Sequence, residues 1–139
     1  MTYEILDHPA DVKFRAIGDT LSAAFLEVVE AVSELVGGEP DTDQPAVTRE
    51  LVLDAQSLEA LLFDFLDQLI LFQDIEDAVV TTATDLEIDE AENGYRLSAV
   101  IHARPIPADQ PLLDIKAPTY SQMLVKENGG WTIGAVLDV

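Results

Sequence analysis

Asp11 closes the run His8-Pro9-Ala10-Asp11, and Asp138 stands one residue before Val139 at the other end of a 139-residue chain. The first leads into an alternating strand and the second ends one, so a sheet containing both strands makes their carboxylates neighbours without costly burial. Val139 is expected to add main-chain oxygens and a carboxylate beside them. Oxygen donors without sulfur suit a hard cation, and flexible high coordination favours Ca2+ over Mg2+ or another hard divalent ion. Plain solvation competes with this reading, because a chain with 27 Asp and Glu places acids at strand ends with no ligand at all.

His8 is the histidine beside this pair, since His102 falls within an expected strand. It reads either as a general base or ligand, or as a packed or turn-capping histidine. Lys116, in Asp114-Ile115-Lys116-Ala117-Pro118-Thr119-Tyr120, is one of three lysines. It either pairs with Asp114 on a loop or anchors a carboxylate, a phosphate or a partner near Asp11 and Asp138. The absence of cysteine excludes disulfides, thiolate zinc sites and a Cys nucleophile. No nucleophile motif, Gly-rich phosphate loop or His-Glu-x-x-His spacing occurs.

These residues need elements to position them. Val12, Phe14 and Ala16 alternate with Lys13, Arg15 and Ile17, the two-residue period of a half-buried strand. Gly18 ends it, and Asp19 or Thr20 caps a helix carrying Leu21, Ala24, Phe25, Val28, Val32 and Leu35 at three- and four-residue spacing. Gly37-Gly38 stops that helix. Residues 39–46, with two prolines and three acids, predict a surface loop, and residues 47–54 alternate as a second strand.

Ser57 caps a second helix over 58–72, with Leu58, Leu61, Leu62, Phe65, Leu66, Leu69 and Ile70 forming a broad apolar face. Phe63, Leu71 and Phe72 lie partly off that stripe, so either the helix is covered on both sides or it meets a partner. From residue 78 the pattern is strand. Residues 79–88 and 95–103 flank Asn93-Gly94, a type I′ hairpin signal, unless Glu90-Ala91-Glu92 lengthens the loop. Residues 104–111 carry three prolines, which excludes a central strand there. A last hairpin, 119–126 and 131–137, closes through Glu127-Asn128-Gly129-Gly130. The expected fold is α+β, a single domain over residues 1–139: a mainly antiparallel sheet of about six strands with two helices packed on one face.

Seven Lys and Arg against 27 acids give a net charge of −20. Regular apolar runs and 48% hydrophobic residues exclude a disordered acidic chain. Self-repulsion of this size is relieved where the Debye length shrinks to about 3 Å at molar salt, which points to a halophilic archaeal cytoplasm. Little or no direct nucleic-acid binding is expected, since phosphate affinity comes from Lys and Arg. Glu59, Asp64, Asp67 and Gln68 interrupt the longest apolar stretch, so no membrane span is expected, and Met1-Thr2-Tyr3-Glu4 shows no signal peptide.

Several of these stretches, taken in order, resemble the archease family. His8-Pro9-Ala10-Asp11-Val12 is similar to its His-Thr-Ala-Asp-Val opening, and residues 18–25 to its strand-to-helix passage. Leu61-Leu62-Phe63-Asp64-Phe65-Leu66-Asp67-Gln68-Leu69 resembles its Leu-rich second helix, and Ile115-Lys116-Ala117-Pro118-Thr119-Tyr120 its Ile-Lys-Ala-x-Thr-Tyr segment. Trp131 and Val136-Leu137-Asp138-Val139 resemble its closing strand. Pro9, Pro118 and Ser121 depart from the residues common there. The resemblance implies an α+β fold and a non-catalytic role as a protein cofactor of the GTP-dependent tRNA-splicing RNA ligase, promoting its guanylylation and repeated turnover. It also implies calcium binding at Asp11, Asp138 and Val139. Two other classes compete: a small metal-dependent hydrolase using Asp11, His8 and Asp138, and a chaperone-like adaptor using the apolar helix 58–72.

Overall fold

The strand expected after Asp11 forms as β2 (Asp11–Gly18), with Phe14 and Ala16 fully buried and Lys13 and Arg15 turned outward. The computed structural model describes residues 1–8, 11–38, 44–106 and 110–139, with 6–8 described by their backbone. Pro9 and Ala10 of the opening run, residues 39–43 of the expected loop, residues 107–109 of the proline-rich segment and the His8 side chain lie outside the described residues. Thr20, not Asp19, caps α1 (Leu21–Val36): its hydroxyl accepts the Ala23 amide at 3.1 Å. Gly37, at φ 79°, ends that helix in a conformation a side chain would resist.

After β3 (Val47–Ala55), Ser57 caps α2 (Leu58–Glu76) by accepting the Ala60 amide. The helix runs four residues past the expected Phe72, and Asp77 ends it at φ 51°. No glycine intervenes to stop it earlier. β4 (Val79–Ala91) and β5 (Gly94–Arg104) form the expected hairpin. Its turn residues are Glu92 and Asn93, neither at positive φ, so it is not a type I′ turn centred on Asn93-Gly94. Gly94 instead opens β5, where a Cβ would run into the main-chain oxygen of Ala55. β6 (Ala117–Glu127) and β7 (Trp131–Asp138) make the closing hairpin.

The α+β class is borne out, with antiparallel pairing throughout the described strands. The single sheet of about six strands divides in two. β1 (Thr2–His8), which shows no clear apolar alternation in the sequence, joins a four-stranded sheet of order β1-β2-β7-β6, and the second sheet has order β3-β5-β4. The helices lie between the sheets: α1 against β1, β2 and β7 on one side and β4 on the other, α2 against β6 and against β3, β4 and β5.

Burial on two sides explains why α2 is apolar well beyond one stripe. Phe72 is buried under Arg49, whose guanidinium sits 5.6 Å from the ring centre, and Phe63 packs on Tyr120. Leu71 and Ile75, one turn apart, remain exposed at 43% and 58%. The core joins both helices and both sheets through Phe14, Phe25, Phe65, Leu69, Leu97 and Leu137, with Phe25 and Phe65 ring centres 5.5 Å apart.

Candidate metal centre

Inward packing sets the register of β2 on β7. Phe14 faces Ala135 and Ala16 faces Ile133, all four buried, which leaves Arg15 opposite Gly134, Lys13 opposite Val136 and Asp11 opposite Asp138 on the outer face. Directly opposed residues of an antiparallel pair have Cβ atoms about 4.5–5.5 Å apart on one side of the sheet. Asp11 and Asp138 are therefore neighbours, Asp138 exposed and Asp11 partly covered, with Val139 following in sequence. His8 is the β1 partner of Asp11, and Ala117 is the β6 partner of Asp138, so this row crosses the whole sheet end.

The segment 115–120 fastens Asp138 in place. Ile115 is buried, the Lys116 amide donates to the Asp138 main-chain oxygen at 2.8 Å, and the Thr119 hydroxyl donates to the Val136 oxygen at 3.1 Å. Tyr120 stacks on Phe63 of α2, ring centres 4.4 Å apart and 9° from parallel. Beyond it β6 bulges: Thr119 and Leu124 pair with Val136 and Gly134, so four residues of β6 stand against one of β7. Gln122, at φ 55° within the bulge, accepts a hydrogen bond from Lys13 Nζ at 2.8 Å. Arg15 lies 3.8 Å from Glu4, both well exposed.

Lys116 makes no ion pair with Asp114 among the described residues, and its side chain is exposed. Its amide, which side-chain reasoning overlooked, is what meets Asp138. His102 lies in the other sheet, its Nε2 2.9 Å from the Thr84 hydroxyl, and takes no part here. Among the described residues no group of three or more His, Asp or Glu side chains gathers around a common point. Among the described residues, the donors at this end are two carboxylates and the main-chain oxygens of the last residues, a set suited to a hard ion that fills its remaining positions with water or a partner's oxygens.

A cavity of about 430 Å³ opens nearby, where the C-terminal ends of α1 and α2 meet residues 110–115. Asp74, Asp77 and Asp114 rim it beside Val36, Leu113 and Ile115. Of these acids the sequence marked out Asp114 alone, through its place before Lys116; Asp74 and Asp77 carry no distinguishing spacing.

The Archease protein family (MTH1598/TM1083) matches residues 3–139. The chain is similar to Protein archease of Pyrococcus abyssi, 30% identical over 141 residues, spanning 99% of this chain and 98% of that one. It is similar to Protein archease of Methanosarcina mazei at 34% identity over 146 residues, spanning 99% and 95%. The solution structure of Methanobacterium thermoautotrophicum Protein 1598 superposes with a TM-score of 0.77 at 26% identity, covering 99% of this chain and 98% of that one. With the whole length matched in sequence and in fold, the chain belongs to the archease family.

Proposed function

We propose that this chain is a non-catalytic, metal-binding accessory protein of the GTP-dependent tRNA-splicing RNA ligase, raising the ligase's guanylylation and so its repeated turnover. The observation that carries the proposal is the β2 on β7 register, which sets Asp11 opposite Asp138 beside Val139. Like charges directly opposed across a sheet are unfavourable unless something neutralises them. Asp11, Asp138 and Val139 would hold one Ca2+, or another hard divalent ion, which would neutralise them. When bound, the ion supplies a concentrated positive charge that attracts a partner's carboxylate or phosphate oxygens.

The chain's own residues hold and present this end. Phe14, Ala135 and Leu137 anchor the two strands in the core, while Lys116 and Thr119 fix the backbone of β7 from its other side. The net charge of −20 supports a protein partner over RNA as the direct contact, and a cytoplasmic setting at high salt.

The test is ligation of tRNA halves by the cognate ligase at substoichiometric enzyme, with wild type, Asp11→Ala or Asp138→Ala added. Wild type is expected to convert single to multiple turnover, and both variants to lose at least about tenfold of that gain, about 1.4 kcal/mol. An unchanged turnover with wild type ends the proposal. The exposed pair Leu71 and Ile75 on α2 favours a second reading, an adaptor that binds partners through this helix. In that case Leu71→Glu with Ile75→Glu abolishes the effect and Asp11→Ala spares it.

A further inference from the structure

All three lysines of this chain lie in or beside one sheet, and two of them share a face with Arg15. In β2, Lys13 and Arg15 follow Asp11 at two-residue spacing on the outer side of the four-stranded sheet. In β6, Lys126 pairs with Thr132, which is opposite Ile17 of β2, so it stands on that same outer side. Lys116 lies at the corner next to Asp138. Both helices pack on the side that carries Phe14, Ala135 and Leu137; on the outer side the Lys13–Gln122 bond runs across β7 and Val136 is 1% exposed, whereas Ile17, Leu124 and Lys126 are open to solvent. From strand spacing, the three cations span about 10 Å across the strands and about 13 Å along them.

Between the cations the face is apolar and indented. Ile17 is 38% exposed and Leu124 39% exposed. Gly134 sits between Arg15 and Leu124 in register, and a Cβ there would meet only the Leu124 Cβ and the Phe14 oxygen, both at 3.7 Å. The position thus has room for a side chain and carries none. The contacts that engage Lys13 and Arg15, to Gln122 and Glu4, are exposed and of the kind that exchanges cheaply for another partner.

Resting on the accessory role proposed above, we infer that the outer face of the four-stranded sheet is the docking surface for an acidic peptide segment of the partner protein. Carboxylates of that segment meet Lys13, Arg15 and Lys126, and an apolar side chain between them settles over Gly134 against Ile17 and Leu124. The patch has an apolar centre with charged groups around it, as protein interfaces do. A nucleic-acid strand fits less well. It would run past three cations into a surface that is otherwise acidic, and affinity for phosphates grows with the number of cations met. Charge pairs covered in an interface are screened far less than exposed ones, so the contact persists at high salt.

Two triple variants of equal net charge separate this face from charge in general. Lys13→Gln/Arg15→Gln/Lys126→Gln removes the cations of the outer face, and Arg49→Gln/Arg96→Gln/Arg104→Gln removes those of the other sheet. Binding to the cognate ligase is measured by titration, and the complex is treated with a carbodiimide that joins amines to carboxylates in contact. The first variant is expected to bind about tenfold or more weakly and the second within about threefold of wild type. Lys13 or Lys126 is expected to cross-link to Asp or Glu of the ligase. Gly134→Val, which fills the indentation and leaves every charge, is expected to weaken binding while melting within a few degrees of wild type.

Equal weakening by both triple variants, or cross-links confined to other surfaces of a complex that still activates the ligase, overturns this inference and leaves the accessory role standing. Photo-cross-linking of this face to the tRNA halves instead of the ligase overturns the choice of partner. No complex with the ligase at all overturns both.

Discussion

At the scale of single residues, the sheet sets Asp11 directly opposite Asp138, an arrangement in which like charges are unfavourable. With divalent ions removed by chelator, Asp138→Asn is therefore expected to melt at or slightly above the wild-type temperature. The proposed ion site predicts that Ca2+ at about 100 times its dissociation constant adds about 2.7 kcal/mol to wild type and nothing to the variant. Tyr3 gives a second readout. Its hydroxyl bonds to Glu34, and that bond, partial burial and the charges of Glu34, Glu30 and Glu27 push its pKa from 10.0 up to about 12. The folded chain keeps this proton after the unfolded chain has lost it. The stabilisation is thus complete below pH 10 and is lost as pH rises through about 12. Ultraviolet titration of the folded protein should show an ionisation near pH 12 that Tyr3→Phe lacks, and the melting temperature of wild type should fall toward that of Tyr3→Phe over the same range. The two acids were legible as candidates from their places at strand ends, whereas their direct opposition depends on strand pairing over more than a hundred residues, which local periodicity does not encode.

At the scale of elements, the segment 115–120 works as a clasp, joining β6 to β7 and to α2 beside Asp138. Thr119→Val removes the bond to the Val136 oxygen and should cost about 1 kcal/mol in chemical denaturation, and Tyr120→Ala removes the stack on Phe63 at a further 0.5–1.5 kcal/mol or about that. Both should lower the Ca2+ affinity more than their stability cost spreads elsewhere, since they loosen the strand that carries Asp138. Phe65→Ala, by contrast, opens the core between Phe25 and the sheets and should cost about 3–5 kcal/mol without selective loss of binding. The segment's residue types were visible in the sequence, but its role was not: the Lys116 contact runs through the backbone amide, which no side-chain pattern announces. Strands β2, β3 and β5 and both helix starts follow from alternation and capping residues. β1 escapes the same logic because Tyr3, Ile5 and their neighbours form an edge strand whose Ile5 is 41% exposed. The turn at Glu92-Asn93 escapes it because Gly94 serves as the first residue of β5, where its φ of 151° and the nearby Ala55 oxygen both call for glycine, and not as a turn residue.

At the scale of the whole molecule, a broad apolar helix reads alike whether it covers one sheet or separates two, so the division of the strands could not be drawn from α2's composition. Its two-sided burial accounts for that composition once β3, β4 and β5 lie across from β6. The charge of −20 acts on every element together. Raising KCl from dilute to molar shortens the Debye length from about 10 Å or more to about 3 Å, and the melting temperature should rise steadily over that range. A flat or falling curve would remove the case for a high-salt setting. The proposed function itself rests on one shared ion at the Asp11 and Asp138 strand ends. Isothermal titration of Ca2+ in molar KCl, where diffuse binding to the acidic surface is screened, tests it most directly. One saturable site in wild type that vanishes in both Asp11→Ala and Asp138→Ala is the expected result. No site in wild type, or an equal site in either variant, contradicts it.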